Sequence, residues 1–188
     1  MAEIAGILLA AGSAGRFGSN KLLHPLPDGT PIAVQAAHRL VDAVPNSIAV
    51  VRPDDVELME ALAATGLGII ENPDASEGMG TSLARGVRAT GKAAGWLIAL
   101  ADMPWIEPAT IDAVAGRLRK GVSMAAPSHA GRRGHPVGFS GRWREELCLL
   151  SGDSGARRLL DAHPDALEFV ETADPGVISD IDYPHDLP

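Results

Sequence analysis

Five short apolar runs, Ile4–Leu9, Ser47–Val51, Leu67–Ile70, Gly95–Leu100 and Val122–Ala126, punctuate the first two-thirds of the chain. Between them, Pro31–Ala43, Asp54–Thr65, Leu83–Thr90 and Pro108–Lys120 carry helical spacing, with Pro31 and Pro108 where a first helical turn tolerates proline. The run Trp96-Leu-Ile-Ala-Leu is apolar at every position, as expected of a strand covered on both faces. Alternation of this kind predicts right-handed βαβ units on a mostly parallel sheet, a three-layer α/β/α Rossmann-like architecture. Beyond Pro127 the regularity breaks. His129–Gly134 reads as a polar loop, Pro136–Phe139 as a strand, Arg142–Leu150 and Ala156–Ala162 as short helices, and Ala166–Val170 and Val177–Ile181 as two late strands. No repeat or linker divides the chain, so a single domain over 1–188 is expected.

Composition narrows the partners. The chain is 46% apolar but only 4% aromatic, so its core must be built from Ala, Leu, Val and Ile. A formal charge of −8 disfavours nucleic acid and anionic membrane, both of which need a broad basic face; only local spots, Arg16/Lys21 and Arg132/Arg133, are basic. The single cysteine, Cys148, forms no internal disulfide and excludes a multi-cysteine zinc site, which fits a reducing compartment. No apolar run reaches the ~20 residues of a membrane span. Residues 4–11 resemble a short signal core, but Glu3 precedes them and a basic start is missing, so the expected location is cytoplasmic.

After Leu9 the chain opens into a loop with Gly12, Gly15 and Gly18 and two cations, Arg16 and Lys21. Glycines let backbone N–H groups approach an anion and the cations neutralise it, so the loop suits a polyphosphate. Its spacing is neither G-x-G-x-x-G nor the P-loop pattern, which disfavours a nicotinamide dehydrogenase and a P-loop ATPase. An ordinary strand-to-helix turn is the plainer alternative. A second glycine-bearing loop, Asn72–Ser82, follows the third apolar run; Gly78 and Gly80 permit close approach, and Thr81 or Ser82 can cap a helix. Asp102 ends the fourth run. A carboxylate there needs a partner, and a hard cation that keeps phosphate and water as its other ligands is suitable. In a late strand Asp180 and Asp182 would share a face and repel unless a cation intervenes, although a surface turn before Pro184 explains them as well.

The run Leu9-Ala-Ala-Gly-x-x-x-Arg-Phe-Gly-x-x-Lys21 resembles the signature of the nucleotidyltransferases related to MobA and MocA, which attach GMP or CMP to molybdopterin. Further segments resemble that family in order: the Asn72–Leu83 loop, Ala101-Asp-Met-Pro, Gly134-His-Pro-Val, Leu150-Ser-Gly-Asp-Ser-Gly and the final Ser179–Leu187 stretch. Tyr183 stands where the family usually has Thr. The resemblance implies a sheet of the nucleotide-diphospho-sugar transferase type, with an NTP-binding half over 1–127 and an acceptor-binding half over 128–188. It implies that Ala10, Ala11, Gly12, Ser13, Gly15, Arg16 and Lys21 wrap the triphosphate, and that Gly80 and Ser82 approach base and ribose. It implies Mg²⁺ on Asp102 with Asp180 or Asp182. His135, Ser154 and Gly155 would meet the acceptor, with Ser154-Gly-Ala offering N–H groups at a helix start. Lys21, Arg16 and Asp102 are then the catalytic set for in-line attack of a phosphate oxygen on the α-phosphorus.

The Ala10-Ala11-Gly12 form resembles the cytidylyl branch and points to CTP rather than GTP. Molybdopterin is the implied acceptor, with a molybdoenzyme or its maturation chaperone as a partner. Competing readings are a nucleotidyltransferase for a sugar, polyol or lactyl phosphate, a non-catalytic nucleotide- or cofactor-binding maturation protein, and a nucleotide-sugar-dependent glycosyltransferase.

Overall fold

A computed structural model describes residues 3–12 and 20–187. In chain order the regular elements are β1 (Ile4–Leu9), α1 (Ile32–Ala43), β2 (Ser47–Val51), α2 (Val56–Ala63), β3 (Gly68–Glu71), α3 (Met79–Ala89) and β4 (Gly95–Leu100). They continue with α4 (Pro108–Arg119), β5 (Met124–His129), β6 (Arg132–Arg133), β7 (Val137–Ser140), α5 (Arg144–Cys148), α6 (Arg157–Ala162) and β8 (Leu167–Glu171). The strands form one sheet in the order β3-β2-β1-β4-β7-β5-β6, with β8 also paired to β5. Pairs β1–β2, β1–β4, β2–β3 and β5–β8 are parallel, while β7 runs antiparallel to both β4 and β5. The sheet is thus mixed but mostly parallel, of the nucleotide-diphospho-sugar transferase type.

Continuous hydrophobicity in the strands has the expected cause. All six residues of β1 are buried. Ile4 and Leu8 face one layer with Ala33, Ala37 and Leu40 of α1 and Val114 of α4. Ala5, Ile7 and Leu9 face the other with Leu83 and Val87 of α3, Leu147 of α5 and Leu160 of α6. Three layers result, and the crevice lies where such folds place it. The chain leaves β1 to pair with β2 on one side and returns to β4 on the other, so the C-terminal ends of β1 and β4 form a switch point. Among the described residues no helix is long and apolar enough to cross a membrane.

The second half differs from expectation in three places. β5 starts at Met124, two residues later than the apolar run, because the N–H of Val122 is taken by Arg117 O at the end of α4. His129–Gly134 is a hairpin rather than a loop: Ser128 pairs with Arg133 and His129 with Arg132, and Ala130 and Gly131 turn at φ 50° and 74°. Positive φ at both central residues suits the right-handed twist of a two-residue hairpin. The expected strand Val177–Ile181 is absent. Pro175–Ile178 form a 3₁₀ turn, held by the buried Asp174 carboxylate, which accepts from Gly176 N and Glu107 N. The carbonyl of Val177 is used by His135 N and the N–H of Ile181 by Asp102 O, so neither is free for a ladder.

Candidate active site

β4 ends at Leu100, and the following turn aims Asp102 over the sheet edge. Lys21 begins a 3₁₀ turn whose Leu22 is buried and fixes the direction of its neighbour. From the far end of the sequence, Ile181 plugs the core and bonds to Asp102 O at 3.0 Å, which brings Asp182 alongside. The three charges meet: Lys21 Nζ donates to Asp102 Oδ2 at 2.9 Å and to Asp182 Oδ1 at 3.3 Å. Burial opposes the ammonium charge, but the hydrogen bonds and fields of Asp102 and then Asp182 outweigh it and raise the Lys21 pKa above its ordinary value. Asp182 is itself held. Asp186 Oδ2 accepts from the N–H groups of Asp182 and Tyr183 at 2.9 and 2.7 Å, and these bonds lower the Asp186 pKa.

This cluster forms one wall of a cavity of about 400 Å³ over the ends of β1, β2 and β4. Ala11, Gly12, Ser82 and Asp153 also line it, as does Arg52, which sequence reasoning missed. Arg52 directly follows β2 and its Nε donates to Ala11 O at 2.8 Å, locking the start of the glycine loop to the next strand. Its signal was only its place at a strand's C-terminal end.

The other expected residues divide. Ser13, Gly15, Arg16 and Gly18 lie outside the described residues. Ala10 is buried beneath the cavity and bonds through its N–H to Val50 O at 2.9 Å. Ser82 is buried and accepts from Asn72 Nδ2 at 2.9 Å, so it lies within α3 rather than capping it. Gly80 is outside the described cavity lining. A Cβ there would lie 2.7 Å from the Ser151 backbone, and Gly80 N donates to Gly152 O at 2.8 Å. Glycine at 80 therefore lets α3 dock against the 151–153 loop. That docking presents Asp153 to the larger cavity and Ser154 and Gly155 to a second one of about 180 Å³, which His135 also lines. The two cavities share Leu9, Met79 and Leu100. Burial lowers the His135 pKa, against the Ile98 carbonyl and the charge of Asp102, so the ring is neutral at pH 7. α6 has only six residues.

As metal donors, Asp102 and Asp182 fit a hard cation: two carboxylate oxygens already converge on one positive charge, and the adjoining cavity leaves room for phosphate and water. Asp180 is exposed and outside the cavity lining among the described residues.

Residues 6–167 match the family described as the MobA-like NTP transferase domain. The chain belongs to that family. Among MobA-like relatives, it is 29% identical to nicotine blue oxidoreductase of Paenarthrobacter nicotinovorans, over 95% of this chain and 92% of the relative. It is 30% identical to the purine catabolism protein PucB of Bacillus subtilis, over 96% and 92%. Its fold superposes on a nucleotidyl transferase from Methanothermobacter thermautotroptrophicus with a TM-score of 0.82, at 25% identity, over 98% of this chain and 94% of that one. Rv0371c from Mycobacterium tuberculosis shares the fold at a TM-score of 0.74 and 24% identity over 90% of this chain and 88% of that one, in a complex with manganese.

Proposed function

We propose that this MobA-like protein transfers a nucleoside monophosphate, CMP ahead of GMP, from its triphosphate to a phosphate monoester acceptor, molybdopterin, and releases pyrophosphate. The observation that carries the reading is the Lys21–Asp102–Asp182 cluster in a polyphosphate-sized cavity that Ala11 and Gly12 also line. The acceptor phosphate oxygen forms a bond to the α-phosphorus as the bond to the β-phosphate oxygen breaks. Asp102 and Asp182 would hold Mg²⁺, which when bound supplies positive charge to the reacting phosphates. Lys21 donates to the α-phosphate as its charge grows; Arg16 and the N–H groups from Gly12, Ser13 and Gly15 carry the β- and γ-phosphates. A phosphate monoester is largely ionised near neutral pH, so no general base is required, and positioning and electrostatics dominate.

We assign the NTP to 1–127 and the acceptor to 128–188, with Gly80 acting through the loop it docks and Ser82 on the nucleotide side. His135, Ser154 and Gly155 meet the acceptor. A molybdoenzyme or its chaperone would receive the product. A relative's name, nicotine blue oxidoreductase, favours a second reading, reduction of a heteroaromatic compound, although the G-x-G-x-x-G pattern is missing.

Pyrophosphate release from each of the four NTPs with Mg²⁺, against molybdopterin, a sugar phosphate and phospholactate, tests the reading. Release that requires molybdopterin and is fastest with CTP is expected. Tight nucleotide binding without release from any mixture would point to a binding protein, and nicotinamide oxidation without release to the second reading.

A further inference from the structure

The smaller cavity has a chemistry of its own. Leu83, Ile98, Leu100, Val137, Phe139 and Leu160 make its walls, and no carboxylate is among the described lining residues. Its polar side chains are His135, Ser154, Arg133 and Arg157. His135 Nδ1 is sealed from solvent with no hydrogen-bond partner among the described residues, an arrangement that costs stability unless a bound group completes it. Arg133 and Arg157 share a single carboxylate, Asp161, at 3.9 and 3.8 Å, both too long for hydrogen bonds. The mouth therefore keeps net positive charge over an apolar interior.

A polyol would leave hydroxyls unpaired against such walls. A void of roughly 150 Å³ is enough for one aromatic ring, so this space takes a body of about that size or slightly more. Because Leu9, Met79 and Leu100 line both cavities, a ligand seated here can reach toward Lys21 and Asp102.

We infer that the acceptor places one or two flat rings in this cavity and holds a second anionic group, distinct from the phosphate that reacts, against Arg133 and Arg157 at the cavity mouth. The inference rests on reading the larger cavity as the nucleotide site.

Calorimetric titration of the full chain, after saturation with CTP and Mg²⁺, separates the two. The probe is 2-naphthalenesulfonate, compared with uncharged 2-naphthol and with inorganic sulfate. Binding with one site and a Kd on the order of 1 mM or tighter is expected. Arg133→Gln with Arg157→Gln should weaken the sulfonate at least about fivefold and 2-naphthol less than about twofold, while sulfate alone does not bind. Equal sulfonate affinity in wild type and double variant overturns the inference, as does no saturation up to about 10 mM while CTP binds normally. Absence of CTP binding beside the expected sulfonate pattern sinks the nucleotide reading and leaves the charged apolar cavity standing.

Discussion

An ammonium between two carboxylates removes a repulsion that Asp102 and Asp182 would otherwise exert on each other, and Lys21 supplies it. Asp186 is a positioning residue in the same arrangement: Asp186→Ala frees the backbone of Asp182 and should weaken Mg²⁺-dependent CTP binding roughly 10- to 100-fold in a calorimetric titration, with the fold unchanged. His135 makes a pH-dependent contribution. Because burial lowers its pKa in the folded chain, the unfolded chain takes up the proton first as pH falls below about 6.5, and stability is lost there. Urea midpoints at pH 7.5 and 5.0 should converge more in His135→Phe than in wild type. Lys21, Asp102 and the Asp182 motif were legible in the sequence because each residue type states its chemistry. Arg52 and Asp186 were not, since their roles come from side chain-to-backbone bonds that only the folded chain brings together.

β1, β2 and β4 follow their apolar runs residue for residue, because burial on both faces dictates continuous hydrophobicity and helices between strands dictate parallel pairing. The late segments do not follow their local pattern. Val177–Ile181 has strand-like residues, but Pro175, the Asp174 carboxylate and the close seat of Gly176 against Trp105 O fix a turn instead. In the hairpin, Ala130 sits at φ 50°, a conformation costly for a residue with a Cβ. Ala130→Gly should therefore stabilise the protein by about 0.5 kcal/mol, a rise in Tm of roughly 1–2 °C. Gly80→Val should act in the opposite sense. Its first carbon would strike the Ser151 backbone, so a loss of about 1–3 kcal/mol and a displaced 151–153 loop are expected, read by Tm and by weaker CTP binding.

Across the whole molecule, the two cavities form one cleft through Leu9, Met79 and Leu100, and both halves of the chain contribute to each cavity: Asp153 and Asp182 reach the larger, Leu83 and Ile98 the smaller. The apolar floor of the second cavity was not readable as a site, because its apolar lining comes from three strands and two helices whose residues read only as core. A ligand that binds only this assembled cleft stabilises it by mass action. CTP with Mg²⁺ at about 100 times its Kd should add roughly 2.7 kcal/mol and raise Tm by roughly 5–10 °C. The central claim is that the lysine and the carboxylate at this cleft perform nucleotidyl transfer. The direct measurement is pyrophosphate release by Lys21→Ala and Asp102→Ala beside wild type, with CTP, Mg²⁺ and molybdopterin and with Tm recorded for each. A loss of at least about 10²–10³-fold in both variants, each still folded, is the predicted result; near-wild-type release from either one would contradict it.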